Sequence, residues 1–255
     1  ENKDSRAVYK ALRFDLRQYK YIKMFVHAEA YKNKPLHDNQ AVAFIRLGTD
    51  FSDNYYQVEI PLKVTQPGSS SEYAIWPKEN QFSIPMEVLT KLKAISIRNQ
   101  TLDRVTYYDG SYNVVSENTP YHAGENRYVI KGNPSLGSVR AMMVGIKNVS
   151  GSNGLSGEFW FNELRVAELE NHGGWAAVGS LDANASELLN ISATGRMHTV
   201  GFGSVDQTPK QRALESTQEY DVMMNVNAGK LLPPKWNMQI PVGLSHSQKR
   251  STPEY

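Results

Sequence analysis

A strict period of two recurs along this chain in segments of about ten residues, and that pattern leaves little room for a helical fold. The clearest case runs from Tyr220 to Gly229, where Tyr220, Val222, Met224, Val226 and Ala228 share one face and Asp221, Asn225 and Asn227 the other. Trp236 to Ser245 repeats it, with Trp236, Met238, Ile240, Val242 and Leu244 set against Asn237, Gln239, Pro241, Gly243 and Ser245. Trp175, Ala177, Gly179, Leu181 and Ala183 oppose Ser180, Asp182 and Asn184, and Ile191, Ala193 and Met197 oppose Ser192, Thr194, Arg196 and His198. Strands, not helices, put alternate residues on opposite faces.

The same period appears earlier, in a different setting. KYIKMFVHAEA places Ile22, Met24, Val26, Ala28 and Ala30 on one face of a half-buried strand, AVAFIRLG is apolar on both faces apart from Arg46, and YYQVEIPL aligns Tyr56, Val58, Ile60 and Leu62. Shorter β-rich pieces are expected at Ala94–Arg98, Arg104–Tyr108 and Arg127–Lys131, followed by VRAMMVGIKN and GEFWFNELRV around the polar turn VSGSNGLSG. In the last of these, Trp160, Asn162, Leu164 and Val166 alternate with Phe159, Phe161, Glu163 and Arg165. One helix is expected after Ser83, with Pro85 at its first position and Met86, Leu89, Leu92 and Lys93 following at helical spacing. PGSSSEY reads as a surface loop.

These segments predict an all-β chain in two parts: an antiparallel, jelly-roll-like β-sandwich over 1–170, and strands of a different kind over 171–255. The join falls in GEFWFNELRVAELENHGGW, where Gly173 and Gly174 supply a flexible pair. The later strands have the length of tilted strands crossing a bilayer. Their connections, short at SELL, long over 203–217 and short at LLPPK, alternate as they do in outer-membrane barrels, and Trp175, Tyr220 and Trp236 stand at strand ends, where an aromatic girdle would lie. A soluble sheet with one wet face would alternate in the same way. Four strands are too few to close a barrel, so the remaining strands would come from elsewhere in a longer chain; the start at Glu1 and the stop after STPEY also read as those of a fragment.

Composition removes several function classes. Cysteine is absent, which excludes disulfides and thiol catalysis, and 28 basic against 26 acidic residues leave a net charge of +2 with no basic stripe for nucleic acid. Neither a nucleophile elbow, a phosphate loop nor a dinucleotide fingerprint occurs, and the six histidines lack ligand spacing, so no catalytic residue, metal site or cofactor is expected. Glu158 and Glu163 are the one carboxylate pair weighed as a glycosidase dyad, with a solvated surface role as the ordinary alternative. Asp50, Asp53 and Asn54 offer three oxygen ligands where calcium needs six to eight, so an Asx turn is the simpler reading. Mean hydropathy is −0.51, which alternating barrel strands tolerate.

RQYKYIKMFVHAEA, AVAFIRLGTDFSDNYYQVEIPL, KGNPSLGSVRAMMVGIKN, GEFWFNELRV, GGWAAVGSLDA, GRMHTVGFGSVDQ and GKLLPPKW, taken in order, resemble the giant outer-membrane translocon of the bacterial type IX secretion system, the SprA or Sov family. The resemblance implies a barrel of exceptional strand number through which folded proteins leave the cell, with the sandwich as an attached insertion and the second part as two hairpins of the wall. It also implies partners: the rest of the parent chain, an outer-membrane barrel that gates a lateral opening, a periplasmic plug, cargo with a C-terminal secretion signal, and outer-membrane lipid. On this reading Asp182, Asn184, Ser192, Thr194, Arg196, Asp221, Asn225 and Asn227 face the lumen. Leu181, Ile191, Val222, Met224, Val226, Ile240 and Val242 face lipid. The competing expectation is a secreted carbohydrate-binding sandwich that uses exposed aromatics among Tyr55, Trp76, Tyr107, Tyr108, Tyr112 and Tyr121, with a soluble sheet behind it.

Overall fold

The computed structural model describes residues 3–31, 34–151, 154–169, 173–186, 188–207 and 211–253. It is an all-β chain of antiparallel sheets that divides into two compact units, Glu1–Glu170 and Asn171–Tyr255. Residues 170–172 at the expected join, 152–153 of the polar turn VSGSNGLSG, 187 of SELL and 208–210 of the long loop lie outside the described residues.

In the first unit the strands are β1 (Ser5–Phe14), β2 (Tyr19–Ala30), β3 (Ala41–Gly48), β4 (Tyr55–Pro61), β5 (Gln81–Pro85), β6 (Thr106–Tyr108), β7 (Val114–Val115), β8 (Arg127–Lys131), β9 (Val139–Asn148) and β10 (Gly157–Leu169). They form a seven-stranded sheet in the order β1-β9-β3-β4-β8-β6-β7 and a three-stranded sheet in the order β10-β2-β5. Ile22, Met24, Val26 and Ala28 of β2 join Ala43, Ile45 and Leu47 of β3 and Tyr56, Val58 and Ile60 of β4 in one core, all at most 1 % exposed. Alternation on β2 and β4 therefore does what a two-layer packing requires: alternate side chains of both sheets enter one interior.

The helical segments differ from expectation. Pro85 ends β5 and precedes the helix, which runs as α2 from Met86 to Arg98. Ala94–Arg98, expected as a strand, forms its last turns. The β-branched Ile95 and Ile97 favour strand locally, but Leu89, Leu92 and Ser96 are buried at helical spacing, and Ser96 Oγ lies 3.0 Å from the Tyr108 hydroxyl in the core. A second, shorter helix, α1 (Glu72–Ile75), rises from the end of the PGSSSEY loop, capped by Ser71 Oγ, which accepts from the Ala74 N–H at 3.3 Å. β1 carries no clear alternation in sequence because it lies at the edge of its sheet and is exposed over most of its length.

β10 corrects the partition of faces read from GEFWFNELRV. Asn162 pairs with Phe25 and Arg165 with Lys23, so two residues of β10 oppose one of β2. Glu163 takes a left-handed φ of 53° in this bulge. Phe159 opposite Ala28, Phe161 opposite Val26 and Val166 opposite Ile22 then all point into the core. An unbulged strand would send Val166 outward.

The second unit is one four-stranded antiparallel sheet in sequential order: β11 (Ala176–Ala185), β12 (Leu189–His198), β13 (Glu215–Asn227) and β14 (Pro241–Pro253). Gly174, expected to be half of a flexible pair, is closely packed: a Cβ there would stand 2.1 Å from the Phe202 backbone nitrogen.

Candidate functional site

The sheet of the second unit concentrates the residues singled out in the sequence, and its register decides which of them share a face. Directly opposed residues of an antiparallel pair project to the same side. Asp182 pairs with Ser192 and Ser192 with Met223, Asn190 with Asn184 and Asn225, and Thr194 with Asp221, so one face carries Asp182, Asn184, Ser192, Thr194, Arg196, Asp221, Asn225 and Asn227 together. The other carries Leu181, Ile191, Val222, Met224, Val226 and Val242. No register shift interrupts the three ladders.

Charge follows the same division. Asp182, Arg196, Glu215, Glu219, Asp221 and Lys249 lie on the polar face; of the charged residues within the four strands, only Arg250 lies on the apolar one. Arg196 is held bidentately by Glu219, with Nε 3.0 Å and Nη2 2.8 Å from its carboxylate oxygens. The apolar face is not a rectangle. It fills the length of β11 (Ala177 to Ala185) and β12 (Leu189 to Met197), stops at Tyr220 in β13 with Gln218 and Ser216 beyond, and stops at Leu244 in β14 with His246, Gln248, Arg250 and Thr252 beyond. From β12 to β13 to β14 its border retreats toward the Asn227 end.

Three expectations about this sheet are corrected. β14 starts at Pro241, so Trp236 lies in a short 3-10 turn, Pro234–Trp236, and Ile240 sits just before the strand, its carbonyl accepting from the Ala228 N–H at 2.8 Å. The segment alternates in sequence but is folded back: Gly229 leaves no room for a Cβ, which would fall 2.1 Å from the Met238 carbonyl oxygen. The connection from β13 to β14 therefore spans residues 228–240, not a short LLPPK turn, and connection lengths do not alternate as expected. β13 also begins earlier than read, at Glu215, which leaves Tyr220 inside the strand instead of at its end. Trp175 does stand at a strand start, where its N–H is 3.0 Å from Thr199 Oγ1.

In the first unit the aromatics considered for sugar binding do not form one exposed surface. Tyr108 is fully buried and Tyr55 is 5 % exposed, the latter under the Arg46 guanidinium at 4.1 Å from its ring centre. Trp76 is half-buried against Phe25 at 6.3 Å and His27 at 5.6 Å, and Trp160 lies against His27 in a tilted arrangement at 5.0 Å. His27 is itself buried, with Nδ1 2.7 Å from the Ile75 carbonyl. This cluster ties α1 to the three-stranded sheet. Asp50 forms the Asx turn: Oδ1 accepts from the N–H groups of Ser52, Asp53 and Asn54 at 2.9, 2.6 and 3.0 Å. Those bonds, led by the one from Asp53, hold its carboxyl far below the usual aspartate range. Asp53 is 2.9 Å from Lys131 Nζ, and Glu163 pairs with Arg165.

The most buried charge among the described residues has no local signal in the sequence. Glu59, 0 % exposed, accepts from Gln57 Nε2 at 2.6 Å and from the Tyr121 hydroxyl at 2.5 Å, with Lys147 Nζ 3.9 Å away. Arg127 lies 3.7 Å from the centre of the Tyr121 ring and donates to the carbonyls of Glu117, Thr119 and Pro120. Burial, then the Glu59 charge, push the Tyr121 hydroxyl well above the ordinary tyrosine range. The cluster pins the 117–121 loop over the sheet. The alternation of YYQVEIPL is visible in sequence, but the burial of its polar face needs that distant loop.

Among the described residues no group of three or more His, Cys, Asp or Glu side chains is placed to hold a metal ion, and no helix is long and apolar enough to cross a membrane, which says nothing of strands. A family model, SprA_N, described as motility related/secretion protein, matches residues 1–255. No curated protein matches the chain.

Proposed function

The chain belongs to the SprA family of motility related/secretion proteins, and on that footing we propose that residues 173–253 are wall strands of a large outer-membrane β-barrel, the translocon of the type IX system. The first unit is then a sandwich of jelly-roll type attached to that wall. The observation that carries the reading is the segregation of charge across an unbroken register: six charged strand residues on one face and Arg250 alone on the other. Charge in hydrocarbon costs about 2–4 kcal/mol for Lys or Arg at the midplane. A face freed of charge over two whole strands suits lipid, and one rich in Asn, Ser, Thr and paired ions suits a wet lumen. The diagonal border supports it too, since strands in a barrel tilt by roughly 35–45° and a bilayer surface cuts them obliquely.

The role is passive. No energy source acts within an outer-membrane pore, so a polar, weakly adhesive lumen carries folded cargo with a C-terminal signal while partners supply gating: a lateral barrel protein and a periplasmic plug. The chain is read as non-enzymatic, and Asp182, Asn184, Ser192, Thr194, Arg196, Asp221, Asn225 and Asn227 act as lining, with Leu181, Ile191, Val222, Met224, Val226 and Val242 against lipid. Fractionating cells and probing with an antibody to residues 1–170 tests this. The expected band is much larger than the 28.7 kDa of this chain, lies in the outer membrane and needs detergent. A small soluble band sinks it.

A further inference from the structure

We infer that the polar end of the apolar face, where Tyr220, His246, Gln248 and Arg250 come together, is a contact site for the phosphate of an anionic lipid headgroup; the inference rests on the barrel reading. The four residues lie just where the apolar border crosses β13 and β14: Tyr220 pairs with Gln248, Val222 with His246 and Gln218 with Arg250, which puts all of their side chains on one side of the sheet. Their hydrogen bonds have a direction. The Tyr220 hydroxyl is 2.8 Å from Gln248 Oε1, an oxygen that only accepts, so the hydroxyl donates there. Its lone pairs then meet His246 Nε2 at 3.1 Å, which makes that ring nitrogen the donor. What the cluster leaves over is donors: the Gln248 amide NH2 and, two residues along the same face, the Arg250 guanidinium.

Among the described residues of this sheet, no carboxylate on that face neutralises them. Within β11 to β14 every carboxylate, Asp182, Glu215, Glu219 and Asp221, is on the opposite side. The contrast with Arg196 is direct, since that cation sits on the polar face and is already engaged by Glu219. A guanidinium with no carboxylate partner among the described residues, beside an amide donor and a tyrosine at the limit of an apolar band, matches the depth at which headgroup phosphates lie.

The test uses the full parent protein in nanodiscs of phosphatidylcholine containing phosphatidylglycerol, with retained lipid counted by native mass spectrometry. Arg250→Gln is expected to lower phosphatidylglycerol retention about five-fold, corresponding to about 1 kcal/mol per basic residue near an anionic surface. Arg250→Lys should restore most of it. Equal retention by wild type and Arg250→Gln overturns the site. Inorganic phosphate titrated into discs of phosphatidylcholine alone separates the sources: phosphate binding that depends on Arg250, without lipid retention, overturns the headgroup assignment in favour of a soluble anion. A nitroxide at Leu244→Cys reports on the barrel reading independently. Protection from a water-soluble relaxation agent keeps the barrel whatever Arg250 does, whereas full access to that agent removes the barrel and this site with it.

Discussion

β10 and β13 are both thirteen-residue strands with alternating sequences, yet they treat that alternation differently. β13 carries it unbroken into its two neighbours, and β12 passes it on to β11, so a face named in one strand is the same face in all four. β10 interrupts it with a left-handed Glu163, and the extra residue returns Val166 to the side of Phe159 and Phe161. The difference follows from what each strand packs on. β10 belongs to a two-layer core, where a sheet must bend to keep its apolar residues against the opposite layer, and a bulge supplies the bend. β13 lies in a single layer, with no second sheet among the described residues of its own unit, so no opposite layer forces a local kink. In water such a sheet leaves Leu181 62 % and Leu244 57 % exposed. A hydrocarbon surround removes that cost without any change in register.

The largest expected effect sets the two regions apart by truncation. Phe82→Ala, in the core of the first unit at 1 % exposure, should destabilise that unit by about 3–5 kcal/mol. Leu181→Ala should change stability by less than about 0.5 kcal/mol. Denaturant unfolding in aqueous buffer reads both, and comparable losses would mean that the second sheet has a packed core of its own. Next in size, Met224→Arg should impair membrane assembly by the roughly 2–4 kcal/mol of a midplane cation, while its neighbour Asn225→Arg is tolerated. Heat-modifiable mobility of the extracted parent chain measures this, and equal tolerance would reverse or cancel the assignment of faces.

Replacing Glu163 sharpens the contrast between strands. A β-branched side chain is strained at the left-handed φ of 53° that the bulge uses, so Glu163→Val should cost about 1–2 kcal/mol, whereas Glu163→Gly, free at that φ, should be near neutral. Denaturant unfolding reads both, and equal stability of the two variants would show that the left-handed residue does not set the bulge. The smallest effect concerns pH. Asp50 has its carboxyl pKa lowered in the fold, first by the Asp53 N–H, so it stabilises the first unit above the ordinary aspartate range near ~3.9 and its contribution fades as pH falls below that range. Asp50→Asn should flatten the acid limb of a stability profile between about pH 4 and pH 2, leaving the second sheet's profile unchanged.

Legibility varied with how local the cause was. β2 and β4 could be read from their alternation, β3 and β8 from short apolar runs between breakers, all of them local signals, and the same holds for the register faces of Asp182, Ser192 and Asp221. β1 was not legible, since an exposed edge strand has no buried face to pattern. Ala94–Arg98 misled because β-branched residues sit on a helix whose buried stripe is completed by Ser96 and its Tyr108 partner. Trp236 to Ile240 misled for the opposite reason, as a true alternation spent on a folded connection where Gly229 admits the Met238 backbone.

By itself, then, the order of residues determined the β class, the position of most strands and which side chains share a face where the ladder is regular, because a period of two is a property of each strand alone. Tertiary structure decided the rest: the bulge at Glu163, the buried Glu59 under Tyr121, and the shift of β14 to Pro241. Each of these depends on a partner far along the chain, a second layer, a covering loop or a close backbone approach, and no local pattern encodes where that partner will be.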